Sequence, residues 1–349
     1  MSEGFRAVQW NRRKAVYDAI LVAAVALYLL GFMAAGRWLF SAPDDPASWE
    51  DLRIRAFGTG AFLMLTVILS IGPLARLDRR FLPLLYNRRH FGVLMFLIAA
   101  AHGWFNIDWF LSRGKGADLV AIVTNWPHYA TVTHFPYDTL GAAALLILFA
   151  MAATSHDFWL SFLTPKAWKA LHMAVYLAYA IIVMHVALGV MQTRHSPAIP
   201  ILLGAAAASV ALLHLLAGWR ERVLDRGVSP EADGWIAVGP PLSIPDGGAR
   251  IVAAPGGERI AVFRDGRTIG ALTNVCAHQN GPIGEGRIVG GCVVCPWHGY
   301  EYRLEDGCAP APFTERLATY RVRILRGQVE IDPRPLPPGT RMAVTLDPG

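Results

Sequence analysis

Two short clips of metal-binding residues stand close together in the last third of the chain. Cys276 and His278 form a C-x-H clip, and Cys295 and His298 a C-x-x-H clip. The sixteen residues between His278 and Cys295, "QNGPIGEGRIVGGCVV", are rich in glycine. Thiolate sulfur and imidazole nitrogen are the donors of zinc sites and iron–sulfur centres. A set of two cysteines and two histidines is compatible with tetrahedral zinc. The zinc-finger pattern ends in a helix with its two histidines a few residues apart, and nothing of that kind follows here. Each clip also mixes one cysteine with one histidine, which suits a [2Fe–2S] cluster held by two cysteines on one iron and two histidines on the other. Cys292 and Cys308 complete the four cysteines. Four cysteines could instead make two disulfides, but the interleaved histidines favour a metal site.

A second set of candidates lies in apolar sequence. His102 falls in "RRHFGVLMFLIAAAHGWF", and His172 and His185 in "WKALHMAVYLAYAIIVMHVALG". Ionisable residues inside a membrane helix are costly and point to function by default. The plainer alternative is that they make hydrogen bonds between helices. His172 and His185 are thirteen residues apart, about 20 Å along a helix that rises 1.5 Å per residue. Imidazoles projecting inward from facing helices hold haem in bundles. Two levels about 20 Å apart would let an electron cross a bilayer in two hops.

These residues need a membrane scaffold, and the chain supplies one. Of 349 residues 54% are hydrophobic, too many for an ordinary soluble domain, and they crowd before about residue 217. Six candidate membrane helices cover residues 15–36, 56–75, 91–111, 137–154, 170–190 and 199–216, the fourth being the shortest. Arginine and lysine collect before the first (Arg6, Arg12, Arg13, Lys14), between the second and third (Arg76, Arg79, Arg80, Arg88, Arg89), between the fourth and fifth (Lys166, Lys169) and after the sixth (Arg220, Arg222, Arg226). The opposite loops hold fewer, so both termini are expected on the cytoplasmic side. The net charge of +6 is thus explained by lipid headgroups, and no basic stripe suggests nucleic acid. His128 and His134, in the outer loop "NWPHYATVTHFP", are expected to be surface residues.

The run "RRHFGVLMFLIAAAH" followed by "WKALHMAVYLAYAIIVMH" resembles the ferric reductase-like transmembrane domain. That family includes ferric reductases, NADPH oxidases and the haem-binding membrane subunit of methionine sulfoxide reductase systems. The resemblance covers the second to sixth candidate helices. It implies a six-helix bundle with b-type haem between the third and fifth, His102 and His185 as the outer ligand pair and His172 as an inner ligand. Members with two haems carry a further histidine fourteen residues before the outer one; that position here is Arg88. His90 is close but about 120° around the helix from His102. Arg88 is expected to meet lipid phosphate or a haem propionate. One or two haems are therefore expected.

"GWRERVLDRGVSPEADGW" then turns polar and reads as a linker over 218–234. Seven short β-type runs follow from about Trp235, "ARIVAA", "RIAVFR", "TIGALTNV", "GCVVCP", "YEYRLE", "TYRVRIL" and "QVEIDP", separated by "DGG", "PGG", "RDG" and "EDG" turns. The expected organisation is a membrane all-α six-helix bundle over 1–217, the linker, a small all-β module over 235–335 and a tail over 336–349. "CAHQNGPIGEG" and "CPWHGYEYRLEDG" resemble the two cluster loops of Rieske proteins of the ferredoxin and dioxygenase type. The resemblance implies a [2Fe–2S] cluster on Cys276, His278, Cys295 and His298. Rieske proteins of cytochrome bc complexes add two cysteines that join the loops, where this chain has Gly281 and Trp297, so no disulfide is expected. Where high-potential members have a serine donating to a cluster sulfur, this chain has Tyr300. Tyr302 stands where they have a tyrosine and could still donate. A low to intermediate potential follows, and Cys292 and Cys308 are expected to be packing or surface thiols.

The combination implies an oxidoreductase that carries electrons between a cytoplasmic Rieske cluster and membrane haem, in the inner membrane of a bacterium. An acceptor at the outer face is expected, by analogy with the reductase relatives. "GEGRIVGG" is not a dinucleotide fingerprint, so the donor would be another protein, a reductase or ferredoxin, or a quinol. The alternatives are a quinone-linked enzyme and a redox or iron sensor without net flux.

Overall fold

The computed structural model describes residues 12–39, 48–85, 87–112, 137–155, 159, 163, 165–193, 198–225, 233–255, 257–278, 280–297 and 299–346. His298, His128, His134, His156, His195 and residues 226–232 of the expected linker lie outside the described residues, and the first eight residues of that linker, 218–225, are helical.

Seven helices are described: α1 Arg12–Leu39, α2 Trp49–Leu77, α3 Leu82–Leu85, α4 Arg88–Ser112, α5 Tyr137–Ala153, α6 Pro165–Thr193 and α7 Ala198–Asp225. Five of them, α1, α2, α4, α6 and α7, are long and apolar enough to cross a membrane; α5, at 17 residues, is shorter. α3, entered by a 3₁₀ turn at Arg79–Phe81, is a single turn in the arginine-rich stretch after α2. Ser48 caps α2, its Oγ accepting the Asp51 N–H at 3.0 Å, and Glu50 and Asp51 add negative charge to that first turn, where the helix dipole favours it. α7 continues to Asp225, past the apolar stretch.

The chain divides into two compact units, 10–70 with 87–213, and 71–86 with 214–349. In the first, small residues bring helices close. Ala56, Ala144 and Ala178 are almost wholly buried, and Leu52 packs on Gly36, as membrane bundles without a hydrophobic drive between helices require. Polar side chains tie the same contacts: Tyr28 donates to Thr59 at 2.7 Å, and the Thr66 and Tyr179 hydroxyls lie 3.1 Å apart. Leucines such as Leu27, Leu30, Leu146 and Leu202 are exposed, as a lipid-facing surface requires.

Among the described residues the second unit carries ten strands in three antiparallel sheets, ordered β1-β9-β8, β10-β4-β3-β2 and β5-β6-β7. They are β1 Ile236–Gly239, β2 Gly248–Ala253, β3 Arg259–Asp265, β4 Thr268–Thr273, β5 Arg287–Val289, β6 Cys292–Val294, β7 Glu301–Arg303, β8 Tyr320–Leu325, β9 Gln328–Pro335 and β10 Ala343–Thr345. β10 pairs with β4 beyond residue 335. One core collects β1, β2, β3, β4, β8 and β9 side chains around Val262, Tyr320 and Ile331. The other lies under the cysteine-bearing loops, around Phe263, Cys276, Cys295, Tyr300 and Tyr302. Glu221 of α7 and Arg259 of β3 form an ion pair.

Candidate functional site

The loop after β4 and the loop between β6 and β7 are built on one plan. In the first, the Cys276 N–H donates to the Gly281 carbonyl and the Cys276 carbonyl accepts the Asn280 N–H, both at 2.8 Å. In the second, the Cys295 N–H donates to the Tyr300 carbonyl at 2.7 Å and the Cys295 carbonyl accepts the Gly299 N–H at 2.9 Å. Asn280 and Gly299, each four residues after its cysteine, have left-handed backbones, with φ of 58° and 72°. Glycine meets that geometry without cost and asparagine tolerates it. Each loop thus closes on its own cysteine.

The loops also close on each other. A Cβ on Gly281 would lie 2.8 Å from Cys295 Sγ and 3.1 Å from the Trp297 ring, so a side chain here would fill the space beside the sulfur. The His278 ring stacks on Tyr300, with centroids 4.7 Å apart and planes 15° apart, and Tyr300 is backed by Phe313 at 5.0 Å. Tyr302 is buried with its hydroxyl 3.3 Å from Cys276 Sγ. Burial first, and then the neighbouring Cys276 sulfur, hold the Tyr302 hydroxyl above the ordinary phenol range, so it keeps its proton and can donate to a sulfur anion. Asn274 fixes the base of the first loop: buried, it accepts the Gly284 N–H on Oδ1 at 2.7 Å. Cys276, Cys295 and His278 are therefore brought together with Tyr300 and Tyr302. Cys292 and Cys308 are partly exposed, and burial pushes the Cys292 thiol up.

In the helical unit, His102 of α4 and His185 of α6 face each other, ring centroids 6.4 Å apart and planes at 78°. Each ties Nδ1 to a backbone carbonyl of a third and a fourth helix: His102 to Ile54 of α2 at 2.9 Å, and His185 to Tyr137 of α5 at 2.6 Å. A carbonyl only accepts, so Nδ1 carries the proton in both rings and Nε2 keeps its lone pair. His172, thirteen residues before His185, bonds to its own helix at the Trp168 carbonyl at 3.0 Å and stacks on that indole at 3.8 Å. Among the described residues its buried Nε2 has no partner within hydrogen-bond geometry, which leaves that nitrogen's lone pair available. Arg89 and Arg88 lie near enough to act on its charge. His90 is held differently, its Nδ1 lying 2.7 Å from Asp18 Oδ2 of α1.

Mixed cysteine–histidine loops on a small antiparallel module, carried by a chain with five helices fit to cross a membrane, define a class: membrane-bound iron–sulfur proteins. Residues 234–321 match the Rieske [2Fe-2S] domain, and residues 57–183 match the ferric reductase-like transmembrane component. The anthranilate 1,2-dioxygenase ferredoxin subunit of Burkholderia cepacia is 38% identical over 78 residues, 22% of this chain and 72% of its own length. The protein-methionine-sulfoxide reductase heme-binding subunit MsrQ of Bordetella pertussis is 30% identical over 162 residues, 46% of this chain and 72% of its own. The MsrQ of Caulobacter vibrioides is 28% identical over 212 residues, 60% and 93% of the two chains. Among solved structures, a ferredoxin of Sphingomonas yanoikuyae B1 matches at 30% identity and a TM-score of 0.26, covering 28% of this chain and 97% of its own. The chain belongs to both families, joining a ferric reductase-like transmembrane component to a Rieske [2Fe-2S] domain.

Proposed function

We propose that this protein is a transmembrane electron-transfer oxidoreductase, in which a Rieske module on the cytoplasmic side works with b-type haem held by the helices. The observation that carries the reading is the His102–His185 pair, two imidazoles from different helices whose ring centres are 6.4 Å apart. Each ring, with its proton on Nδ1, keeps an unprotonated Nε2, the donor that haem iron would need, so the two residues would hold such a group together. Cysteines 276 and 295 with His278 and His298 would hold the cluster, His102 and His185 a haem, and His172 a second; the relatives of MsrQ type are haem-binding subunits by name. Bound there, these groups would supply one-electron carriage between the two faces of the membrane.

The chain's own residues would do the rest. Tyr302 would hold a proton toward Cys276, and Tyr300 would shield and orient the His278 ring. The Ile54 and Tyr137 carbonyls would fix the tautomers of His102 and His185 and raise their basicity. Arg88 and Arg89 would offer positive charge near His172 for propionate or lipid phosphate. The arginine and lysine distribution supports six crossings, α5 among them, of a bacterial inner membrane with both termini inside. The donor would be a cytoplasmic reductase, a ferredoxin or a quinol, and electrons would leave toward an acceptor at the outer face, as in the reductases.

The test is low-temperature EPR and a reduced-minus-oxidised optical spectrum on the detergent-purified full chain, with iron and haem counted. A Rieske signal with b-type bands is expected. Zinc in place of iron, or a cluster without haem, would refute the reading.

A further inference from the structure

We infer that Gly58 and Gly141 are positioning residues for the two facing histidines, each seating one ring against a neighbouring helix; the inference rests on the haem reading above. The two histidines are held by one device used twice. The ring of His102, from α4, rests against α2 and bonds to the Ile54 carbonyl, four residues before Gly58. The ring of His185, from α6, rests against α5 and bonds to the Tyr137 carbonyl, four residues before Gly141. A Cβ on Gly58 would stand 2.9 Å from both Cε1 and Nδ1 of His102. A Cβ on Gly141 would stand 2.9 Å from Cε1 and 3.0 Å from Nδ1 of His185. Both rings therefore rest directly on a glycine.

The four-residue offset has a physical reason. In an α-helix the Cα–Cβ bond tilts toward the N-terminus, so a side chain covers the turn before it. The carbonyl four residues earlier already accepts an intrahelical bond and has a second lone pair to offer. A side chain at the glycine position would cover that lone pair; a bare Cα leaves it open and makes room for the ring. The other glycines of the long helices seat no histidine: Gly31, Gly92, Gly204 and Gly218 have no described atom within 4 Å of their would-be Cβ, and Gly36, Gly60, Gly103 and Gly189 meet leucine or tyrosine side chains. The bond fixes the proton on Nδ1, aims Nε2 away from the carbonyl, and raises the basicity of that nitrogen toward a metal.

The test replaces each glycine by alanine in the full chain, with Gly204→Ala as control. Alanine raises helix propensity, so a loss of function does not follow from a weaker helix. Gly58→Ala and Gly141→Ala are expected to lower haem affinity about ten-fold or more. They are also expected to shift the haem midpoint potential upward, because a less basic imidazole stabilises the ferric state less, and to change the ferric haem EPR spectrum. The Rieske EPR signal per chain is expected to stay at the wild-type level, and Gly204→Ala to match wild type throughout. Wild-type affinity, potential and EPR spectrum in both variants would overturn the inference, while loss of haem in His102→Ala and His185→Ala would leave the haem reading standing. A Rieske signal that falls in step with haem would make the glycines general packing positions and would also overturn it. Haem kept at full level in both histidine variants would sink the haem reading and this inference together.

Discussion

Replacing Tyr302 by phenylalanine removes a single atom from the module. The ring is fully buried and phenylalanine keeps its packing; what goes is the hydroxyl 3.3 Å from Cys276 Sγ. With Cys276 holding the cluster, the added electron of the reduced state makes this sulfur more negative and the hydrogen bond stronger. A hydrogen bond to a charged group is worth about 1.5–3 kcal/mol, against about 1 kcal/mol for a neutral pair. The reduced state therefore gains roughly 1 kcal/mol more from the hydroxyl than the oxidised state does. For a one-electron couple about 59 mV corresponds to a factor of ten, or about 1.4 kcal/mol, so Tyr302→Phe should lower the cluster potential by about 40 mV. An EPR-monitored redox titration of the full chain measures it. An unchanged or higher potential, with the cluster content intact, would refute the claim that this hydroxyl donates to a ligand sulfur.

Asn274→Ala strands the buried Gly284 N–H, at a cost of about 1–3 kcal/mol; thermal bleaching of the cluster in the full chain should begin about 4–8 °C earlier per kcal/mol lost, and an unchanged midpoint would show that the clamp is dispensable. His172→Ala should lower the number of haems per chain relative to wild type while the His102–His185 haem band stays, and an unchanged count in the pyridine haemochrome assay would remove His172 from the ligand set. Hydrogen bonding from Arg334, with Arg321 adding to it, holds the buried Asp332 carboxyl below the ordinary range. Its pKa is lower folded than unfolded, so its contribution is complete above the ordinary value of about 4 and disappears as pH falls through that value toward the folded one. Asp332→Asn should flatten that part of the acid-stability profile and cost about 2 kcal/mol at neutral pH; an acid profile parallel to wild type would count against it.

Much of this was readable from residues because it is written in contiguous stretches. The two cluster loops are local, so "CAHQNGPIGEG" and "CPWHGYEYRLEDG" carried the Rieske resemblance, and β2, β3, β4 and β6 to β9 each fall on an apolar or alternating run. β1, β5 and β10 have only three or four residues, too few for a period to appear, whereas the equally short β6 and β7 lie within longer β-type runs beside the second cysteine clip; β10 gains its place from pairing with β4. His102, His172 and His185 stand out because imidazole is rare in apolar helices. Their partners do not stand out. Ile54 and Tyr137 act through backbone oxygens, which every residue has, and Gly58 and Gly141 act through a missing side chain. The stacking of His278 on Tyr300 joins two loops, and no single stretch of sequence records it. Gly281 was visible only as a departure from the disulfide-bearing pattern, whereas its closeness to Cys295 Sγ gives it a steric role.

The matched closure of the two loops bears on speed. An electron-transfer site is slowed by every bond that must relax when its charge changes. Here each cysteine is gripped by two hydrogen bonds from its own turn, and the sulfurs sit in a core that excludes water. Most of the polar surroundings are thus already arranged for either oxidation level, as they are in sites preorganised for a developing charge. Little reorganisation energy would be left to the protein around the sulfurs. The barrier to each hop would then be set mainly on the side of His278, which is only partly buried.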